Sequence, residues 1–254
     1  MRFRDQVALI TAASRGIGRA TAEIMAYEGA TIVGVATSAE RLQLMEREIR
    51  QVGGRAIGIK ADTQNPDEVH AIVERVMREY GRIDILINGV GGSTVIANPA
   101  AQVDELTFAD WQKIVAFNLD ATFLFCHEVV PIMKQQRRGK IVNISSIAGR
   151  GLSKPSSAAY AAGKGGVNAF TKKLSMEVGP FGITVNAVAP NLIVTERIKP
   201  FWDARDKAAQ EAVIAAIPLR RMSTVEEQAR VICFLSSSDA DYITGLSIDV
   251  TGGQ

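Results

Sequence analysis

The amino-acid sequence predicts an α/β fold, in which a single domain is built around an open parallel sheet. Short, nearly continuous apolar runs alternate along the chain with helical segments of roughly a dozen residues or more, and this alternation is typical of right-handed βαβ units. The 254 residues are 47% hydrophobic, which is enough for one large core. Because no internal repeat, low-complexity segment or interdomain linker appears, we expect one domain over residues 1–254.

The first predicted strand, 6–11, is apolar at nearly every position, as expected for a strand buried on both faces. It leads into a turn in which Gly16 and Gly18 open a helix. Glycine allows a ligand to approach the backbone closely, and the helix N-terminus offers unpaired N–H groups to a phosphate. The turn therefore predicts a phosphate site, although such turns are often only turns and the usual three-glycine fingerprint is incomplete.

The later elements repeat this unit. Further strands are predicted over 30–36, 55–61, 84–88, 140–145, 182–188 and 246–250, and helices over 16–27, 40–52, 67–80, 108–138, 158–179 and 224–235. Segment 190–218, which contains Pro200 and Trp202, breaks the alternation and is expected to fold over the site as a lid. In such a sheet the ligand lies beyond the carboxyl ends of the strands. The residues expected at that edge are Thr11, Ala36, Asp62 and Asn88.

A tyrosine and a lysine lie four residues apart in the helix predicted over 158–179. This spacing places Tyr160 and Lys164 on one face about one turn apart. A nearby cation favours the phenolate and lowers the tyrosine pKa from its usual value near 10. A hydroxyl opposite, from Ser146, would hydrogen-bond a substrate carbonyl while the phenol exchanges its proton. An isolated pair of this kind is usually a surface tyrosine and a solvated lysine, so it needs support elsewhere.

Asn118 lies in the middle of an apolar run of the long helix predicted over 108–138. A buried asparagine must satisfy several hydrogen bonds. The residue is therefore either a structural tie or part of a site, and its sequence context favours neither.

Taken together, the motifs resemble those of the short-chain dehydrogenase/reductase family over essentially the whole chain, and most closely its 3-oxoacyl carrier-protein reductase branch. The motifs are Thr11 with Gly16-Ile17-Gly18, the Ala36-Thr37-Ser38 turn, Asp62, Asn88 with Gly91, Asn118, Ser146, Tyr160 with Lys164, Asn186 to Pro190, Thr195 and the ending Asp249 to Gly253. The resemblance implies a doubly wound, seven-stranded Rossmann sheet with helices on both faces. It also implies a nicotinamide dinucleotide and hydride transfer between its ring and a carbonyl or alcohol carbon.

The resemblance also assigns roles. It implies that Tyr160 is the general acid in reduction and the base in oxidation, that Lys164 lowers the tyrosine pKa and bonds the nicotinamide ribose, and that Ser146 positions the substrate oxygen. Asn118 would hold a water that connects Lys164 to a proton relay. The implied dinucleotide contacts are Gly16, Ile17 and Gly18 at the pyrophosphate, with Thr11 and Ser14 in the same turn, Asp62 and Thr63 at the adenine, Asn88 and Gly89 at the adenosine ribose side, and Pro190, Ile193 and Thr195 toward the carboxamide and phosphate. Thr37, Ser38, Arg15 and Arg41 are the contacts expected at the 2′ position of that ribose.

Four positions depart from the family pattern without removing a catalytic side chain. They are Ala12 for the first glycine of the turn, Gly89-Val90 for Asn-Ala, Gly163 for the Ser before the Lys, and Asn191 for the Gly after Pro190. Ala12 is tolerable if its φ is negative.

The end of the second predicted strand bears on the choice of cofactor. An enzyme that uses NAD usually has a carboxylate there, which repels a 2′-phosphate. Here the strand ends at Ala36, followed by Thr37 and Ser38, with Arg15 in the glycine turn and Arg41 just beyond, so two cations could meet the phosphate. The sequence therefore predicts a preference for NADP(H), with NAD(H) possible, unless the two arginines are ordinary surface residues.

Three functions fit these observations. The first is an NADP-dependent ketone reductase or alcohol dehydrogenase, and the apolar Ile198 and Phe201 of the lid would suit a hydrophobic ketone or simply pack the lid. The second is an acyl-thioester reductase, with Arg137 and Arg138 as a basic patch for a carrier protein. The third is a non-catalytic dinucleotide-binding regulator, which would not need Tyr160.

Composition bears on partners and location. The 29 basic and 27 acidic residues nearly balance, which gives no sign of a nucleic-acid groove or a membrane surface. Cys126 and Cys233 lie in apolar contexts that favour buried thiols. No signal peptide, metal-ligand cluster or apolar run of about 18 residues is seen, so a cytoplasmic enzyme without a metal is expected. The family resemblance implies a homotetramer or homodimer.

Overall fold

A seven-stranded parallel sheet runs through the computed structural model, which describes residues 1–153 and 156–254. The strand order is β3-β2-β1-β4-β5-β6-β7, and every neighbouring pair is parallel. The strands are β1 (Val7–Thr11), β2 (Thr31–Ala36), β3 (Arg55–Lys60), β4 (Ile85–Asn88), β5 (Gly139–Ile144), β6 (Ile183–Pro190) and β7 (Ser247–Val250). The order reverses between β1 and β4, which opens a crevice at the carboxyl edge of the sheet. The predicted fold class is confirmed.

Helices follow the strands at nearly the predicted positions. They are α1 (Gly16–Tyr27), α2 (Ala39–Gln51), α3 (Pro66–Tyr80), α4 (Phe108–Gln136), α5 (Ala158–Val178), α6 (Lys199–Asp203), α7 (Lys207–Ala215) and α8 (Val225–Leu235). Local signals set several ends. Asn65 caps α3 before a proline, and Gly81 ends it in the left-handed conformation. A reciprocal capping box of Thr224 and Glu227 begins α8.

The sheet is covered on both faces because adjacent residues in each strand point to opposite sides. Ile10 of β1 belongs to the core cluster that contains residues of α1, α2 and α8, such as Met25 and Ile232. Leu9 belongs to the other cluster, with Phe125 of α4 and Leu174 of α5. The sheet is therefore doubly wound, and its crevice end is positioned by two well-packed layers of helices.

The segment between β6 and α8 forms a loop and two short helices, α6 and α7. A turn at Thr195, whose carbonyl accepts from the N–H groups of Ile198 at 2.9 Å and Lys199 at 2.8 Å, leads into α6. Ile193 is buried, whereas Phe201 is exposed. The role of this segment as a lid stays a prediction.

Helix α4 is by length and composition apolar enough to cross a membrane, with a mean hydropathy of 1.3 over its best window. This departs from the expectation that no apolar segment reaches that length. The helix lies beside α5 and carries the buried Ile114, Phe125 and Met133, and core helices of this kind pass the same test. Both cysteines are buried free thiols, as predicted.

Candidate active site

The carboxyl ends of β1 and β4 are joined by Thr11. Its side chain is buried, donates to the carbonyl oxygen of Ile87 at 3.3 Å and accepts from the N–H of Gly89 at 2.9 Å. A Cβ at residue 89 would lie 2.6 Å from the Thr11 carbonyl oxygen. Glycine in place of the family's asparagine therefore lets the two strand ends approach closely at the centre of the crevice.

Tyr160 and Lys164 lie in the first turns of α5, which Ser157 caps by accepting from the N–H of Tyr160 at 3.3 Å. The helix makes the two side chains neighbours on one face, as their spacing predicts. Lys164 is only 2% exposed, and its Nζ donates to the carbonyl oxygen of Ile144 at 2.6 Å. The lysine thus spans from α5 to the carboxyl end of β5.

Burial controls the protonation of both groups. Burial, and secondly the Arg197 guanidinium, lower the pKa of Lys164 to about 7. Burial raises the pKa of Tyr160, while the Ser146 hydroxyl and Arg197 oppose that shift. The effect expected of Lys164 on the tyrosine pKa stays a prediction. The lysine amine is directed to the Ile144 carbonyl, and Ser146 and Arg197 are the groups that favour the phenolate.

The two consecutive serines after β5 have separate contacts. Ser145 is buried and its hydroxyl donates to the carbonyl oxygen of Lys164 at 3.1 Å. Ser146 begins the short 3₁₀ helix Ile147–Arg150, and its Oγ accepts from the N–H of Ala148 at 3.1 Å. Its hydroxyl proton remains available to a partner near Tyr160. Ser145 is therefore a tie between β5 and α5, whereas Ser146 is the neighbour of Tyr160, and its catalytic role stays a prediction.

Asn118 is completely buried in α4 and fastens the glycine loop that follows β4. Its Oδ1 accepts from the N–H of Gly92 at 2.9 Å, and its Nδ2 donates to the carbonyl oxygens of Gly92 at 3.0 Å and Ile114 at 2.8 Å. A Cβ at Gly91 would lie 2.5 Å from Lys164 Nζ and 2.8 Å from Asn118 Oδ1. Asn118 is thus both a structural tie and a neighbour of Lys164, and its role in holding a water stays a prediction.

The glycine turn after β1 fits a phosphate group. Arg15 at the N-cap of α1 has extended backbone and makes no side-chain cap, so the first N–H groups of the helix are left for a ligand. Gly18 packs against the preceding strand, since a Cβ there would lie 2.5 Å from the Ala12 carbonyl oxygen. Gly16 has a φ of +60°, and a Cβ there would meet Thr195 Cγ2 at 3.2 Å. Thr195 therefore lies over the turn at Gly16, and its contact with a phosphate stays a prediction.

Ala12, which replaces the first glycine of the motif, has a φ of +55°. The negative φ that would make alanine tolerable is therefore not what the backbone adopts. Left-handed backbone is unfavourable for an L-residue with a Cβ. The substitution has left the turn conformation in place at a local cost in free energy.

Arg15 and Arg41 line one cavity of about 350 Å³ beside α1 and α2, together with Ser14 and Glu196. Arg19 also lines it but is engaged by Glu23 and Glu48. Within residues 1–153 and 156–254, neither Arg15 nor Arg41 has an ion pair. The strand end at Ala36 carries no carboxylate. The cavity therefore brings Arg15 and Arg41 to the place where a ribose phosphate is expected, and the carboxylates of Glu196 and Glu226 also line it.

The other adenosine-side residues divide between the cleft and the core. Thr37 is exposed, and Ser38 caps α2 by accepting from the Arg41 N–H at 3.4 Å. Asp62 is exposed and Thr63 buried just beyond β3. By contrast, the Asn88 amide is turned into the core, where it donates to Asn143 Oδ1 at 2.9 Å. Any contact of Asn88 with a dinucleotide would therefore come from its backbone.

Two further departures from the family pattern have packing reasons. Asn191, after Pro190, donates through Nδ2 to the Thr251 carbonyl oxygen at 2.9 Å, which ties the start of the lid segment to the chain end. Gly163 faces α4, since a Cβ there would lie 3.1 Å from Asn118 Cβ. It permits close packing of α4 and α5.

Sequence reasoning missed Arg197. Its guanidinium lies against Gly92, where a Cβ would collide with Nη2, and its charge acts on both Tyr160 and Lys164. Nothing in its local sequence distinguishes it from the surface arginines. Only the turn at Thr195 brings it to the site.

The chain is similar to known oxidoreductases along its whole length. A family model described as enoyl-(acyl carrier protein) reductase matches residues 11–254. A 3-oxoacyl-[acyl-carrier-protein] reductase of Thermotoga maritima is 38% identical over 253 residues, with 100% of this chain and 99% of the relative covered. A cyclohexanol dehydrogenase of Rhodococcus sp. (strain TK6) is 38% identical over 267 residues, covering 99% of this chain and 96% of the relative.

Solved structures give the same result. The structure of a 3-oxoacyl-[acyl-carrier protein] reductase with bound NAD from Brucella melitensis has a TM-score of 0.86 and 32% identity, and the match covers 99% of this chain and 93% of that one. The match therefore includes both the sheet and the candidate active site, and it leaves no large part of either chain uncovered.

Proposed function

Because the chain belongs to the short-chain dehydrogenase/reductase family, we propose that Tyr160 is the general acid and base of its reaction. The chain is an oxidoreductase that interconverts a carbonyl group and an alcohol with a nicotinamide dinucleotide. The observation that carries the proposal is the position of Tyr160, half-buried at the start of α5 with Ser146 as the neighbour that favours its phenolate.

Each residue has a distinct part in the proposed mechanism. When bound, the dinucleotide supplies the hydride in reduction and accepts it in oxidation. The Ser146 hydroxyl donates to the substrate oxygen and fixes it opposite the phenol. Tyr160 delivers its proton to that oxygen in reduction and takes it back in oxidation. Lys164 lies one helical turn away, where a positive charge stabilises the phenolate, and would bond the nicotinamide ribose. Asn118 holds the glycine loop on which Lys164 packs.

We propose that NADP(H) is preferred. Arg15 and Arg41 line the same cavity without an ion pair in the described part of the chain, and Ala36 leaves a 2′-phosphate unopposed. The glycine turn, Asp62, Thr63 and Thr195 complete the proposed dinucleotide site. The NAD bound to the Brucella melitensis relative is the reason to test both cofactors.

The proposed substrate is a small ketone or its secondary alcohol. A second candidate is a 3-oxoacyl thioester. The similarity to the Thermotoga maritima 3-oxoacyl-[acyl-carrier-protein] reductase supports this candidate. The structure does not support Arg137 and Arg138 as a carrier-protein patch at the site mouth. They precede the amino end of β5, at the opposite edge of the sheet, and Arg137 is over the Phe181 ring while Arg138 faces Asp84 at 3.5 Å.

A homotetramer or homodimer is part of the proposal. Phe123 of α4 and Met176 of α5 are exposed apolar residues on the helices expected to pair. Light scattering coupled to gel filtration tests this. We also place the enzyme in the cytoplasm, which the two free cysteines support.

The function is tested by titrating the protein with NADPH and NADH and then screening ketones, diketones and 3-oxoacyl thioesters by loss of nicotinamide absorbance. Turnover of a ketone with NADPH is expected. Tyr160→Phe should retain cofactor binding and lose about 10³-fold or more in kcat. Undiminished turnover in this variant would overturn the mechanism, and tight binding without turnover of any carbonyl would favour a regulatory protein.

A further inference from the structure

Arg197 is a cationic side chain inside the active site that the proposed mechanism does not use. Its guanidinium carbon would be 2.6 Å from a Cβ at Gly92, so the group rests directly on the loop that Asn118 fastens. It is partly buried, and its charge reaches Tyr160 and Lys164. The side chain is thus directed into the space next to the proposed proton donor.

No group in the described chain compensates this charge. Over residues 1–153 and 156–254 Arg197 has neither an ion pair nor a hydrogen bond through its side chain. The acidic neighbour in sequence, Glu196, is directed elsewhere, with Oε2 3.9 Å from a Cβ at Gly16. The nearest charged groups of its own sign are Lys164 and Arg15. A buried, unpaired charge is unfavourable unless a partner arrives.

The surroundings of Arg197 disfavour its charged form. Burial and the charge of Arg15 lower the pKa of Arg197, and only the Tyr160 phenolate raises it. A guanidinium stays protonated in proteins and presents a planar set of donors that matches a carboxylate with two hydrogen bonds. The partner that would best match the Arg197 guanidinium is therefore an anion with two oxygen acceptors.

We propose that Arg197 binds a carboxylate of the substrate, so that the enzyme acts on oxo acids or hydroxy acids in preference to neutral ketones. This inference rests on the proposed function, because it names the substrate class for the same site. Arg197 is then the residue that determines specificity, and it orients the substrate with its ketone toward Tyr160 and Ser146.

The phosphates of the dinucleotide are the other source of anionic oxygens. The structure provides for them separately. The uncapped N-terminus of α1 lies at the glycine turn, and Arg15 and Arg41 line the cavity at the adenosine end, which does not include Arg197. Arg197 is close enough to Arg15 to feel its charge, but its guanidinium rests on Gly92, toward Tyr160 and Lys164. These positions favour the substrate over the cofactor as the source of the anion.

The test compares Arg197→Met with Arg197→Lys and the wild type. The substrates are 4-oxopentanoate and its methyl ester, together with the corresponding 2-oxo and 3-oxo acids and esters. We expect the wild type to prefer at least one acid over its ester in kcat/KM. Arg197→Met should reduce this acid-to-ester preference by about 10- to 100-fold, mainly through KM, because one charged pair is lost. Arg197→Lys should retain part of it.

Lys199→Met is the matched control. It removes one positive charge two residues away, from an exposed side chain paired with Asp203, and should leave the acid-to-ester preference unchanged. Binding is followed independently of turnover by titrating the NADP⁺-loaded protein with each oxo acid and recording the fluorescence of Trp202 and Trp111. Weaker binding of the acid in Arg197→Met alone supports the inference.

Three results would overturn it. An acid-to-ester preference that is the same in the wild type and Arg197→Met means that Arg197 does not bind the substrate. A large loss of NADPH affinity in Arg197→Met, with acid and ester affected equally, assigns the residue to the cofactor. Equal binding of acid and ester by the wild type would show that the enzyme has no binding site for the carboxylate. If no carbonyl is reduced but the acid still binds in the wild type and not in Arg197→Met, the result contradicts the proposed function and supports the carboxylate site at Arg197.

Discussion

Lys164 of α5 donates from Nζ to the carbonyl oxygen of Ile144, the last residue of β5, at a distance of 2.6 Å. The contact ties the catalytic helix to the carboxyl edge of the sheet. It also places an ammonium group in a buried position whose polar partner is a neutral backbone carbonyl. The lysine is therefore poised between its charged and neutral forms near neutral pH, which makes both stability and chemistry sensitive to pH.

The first prediction concerns stability and pH in Lys164→Met. The unfolded lysine titrates near 10.5 and the folded one at about 7. Between these values the unfolded chain binds the proton and the folded chain does not, so the wild-type free energy of unfolding rises with pH in this window. The variant lacks that rise. The free energy of unfolding of the variant minus that of the wild type should therefore be higher at pH 7 than at pH 9, by about 2 kcal/mol.

Urea unfolding of the cofactor-free protein at several pH values measures this difference. Lys173→Met, on the same helix with a side chain 73% exposed, should follow the wild-type curve. Parallel curves for the wild type and Lys164→Met would contradict the low pKa of Lys164.

The second prediction separates the two serines that follow β5. Ser146→Ala removes a group that lowers the pKa of Tyr160, so the rise of alcohol oxidation with pH should move to higher pH. The rate should also fall by about 10²-fold, because a donor to the substrate oxygen is lost. The measurement is the dependence of kcat/KM for alcohol oxidation on pH.

Ser145→Ala is the control, because the Ser145 hydroxyl donates to the Lys164 carbonyl oxygen and is not directed to the substrate. It should lose stability of about 1 kcal/mol and keep the pH profile. A shifted profile in Ser145→Ala, with Ser146→Ala unchanged, would reverse the assignment.

The third prediction concerns the glycine loop after β4. Gly91→Ala would place a methyl 2.5 Å from Lys164 Nζ and 2.8 Å from Asn118 Oδ1. One of these groups must move, so kcat/KM should fall by about 10²-fold. Gly165→Ala in α5 meets only an ordinary contact of 3.4 Å and should stay active with equal or higher stability. Full activity of Gly91→Ala would show that Lys164 need not keep this position.

The fourth prediction concerns cofactor preference. Arg15→Ala should weaken NADPH binding by about 10- to 100-fold and NADH binding much less, because a charged partner of the 2′-phosphate is lost. Arg47→Ala removes the same charge from an exposed position on α2 and should change neither affinity. Fluorescence titration with both dinucleotides measures the preference. Equal losses for NADPH and NADH would place Arg15 at the pyrophosphate instead.

Much of the fold could be predicted because its signals are local. Apolar runs mark the buried strands, and caps such as Asn65 and Gly81 mark helix ends. The pairing of Tyr160 with Lys164 follows from helical spacing alone. Contacts made through tertiary packing could not be predicted in this way. The core position of the Asn88 amide depends on Asn143, which is 55 residues away in the chain.

Arg197 shows the same limit at the site itself. Its approach to Gly92 depends on the path of the segment after β6, and the charge balance around Tyr160 depends on that approach. A pattern of residue types records neither distance nor burial. Helical spacing also could not show that the Lys164 amine is directed to the Ile144 carbonyl or that burial acts on both side chains.

The last prediction concerns the turn at Ala12, where the backbone has a φ of +55°. This conformation costs an alanine roughly 1–2 kcal/mol, and glycine adopts it freely. Ala12→Gly loses part of that gain because the unfolded chain becomes more flexible. The net effect should be a stabilisation of about 0.5–1 kcal/mol, measured as the free energy of unfolding in urea. Ala204→Gly, at an exposed position with a φ of −76°, should be neutral or destabilising. A loss of stability in Ala12→Gly would mean that the methyl group contributes packing that outweighs the backbone strain.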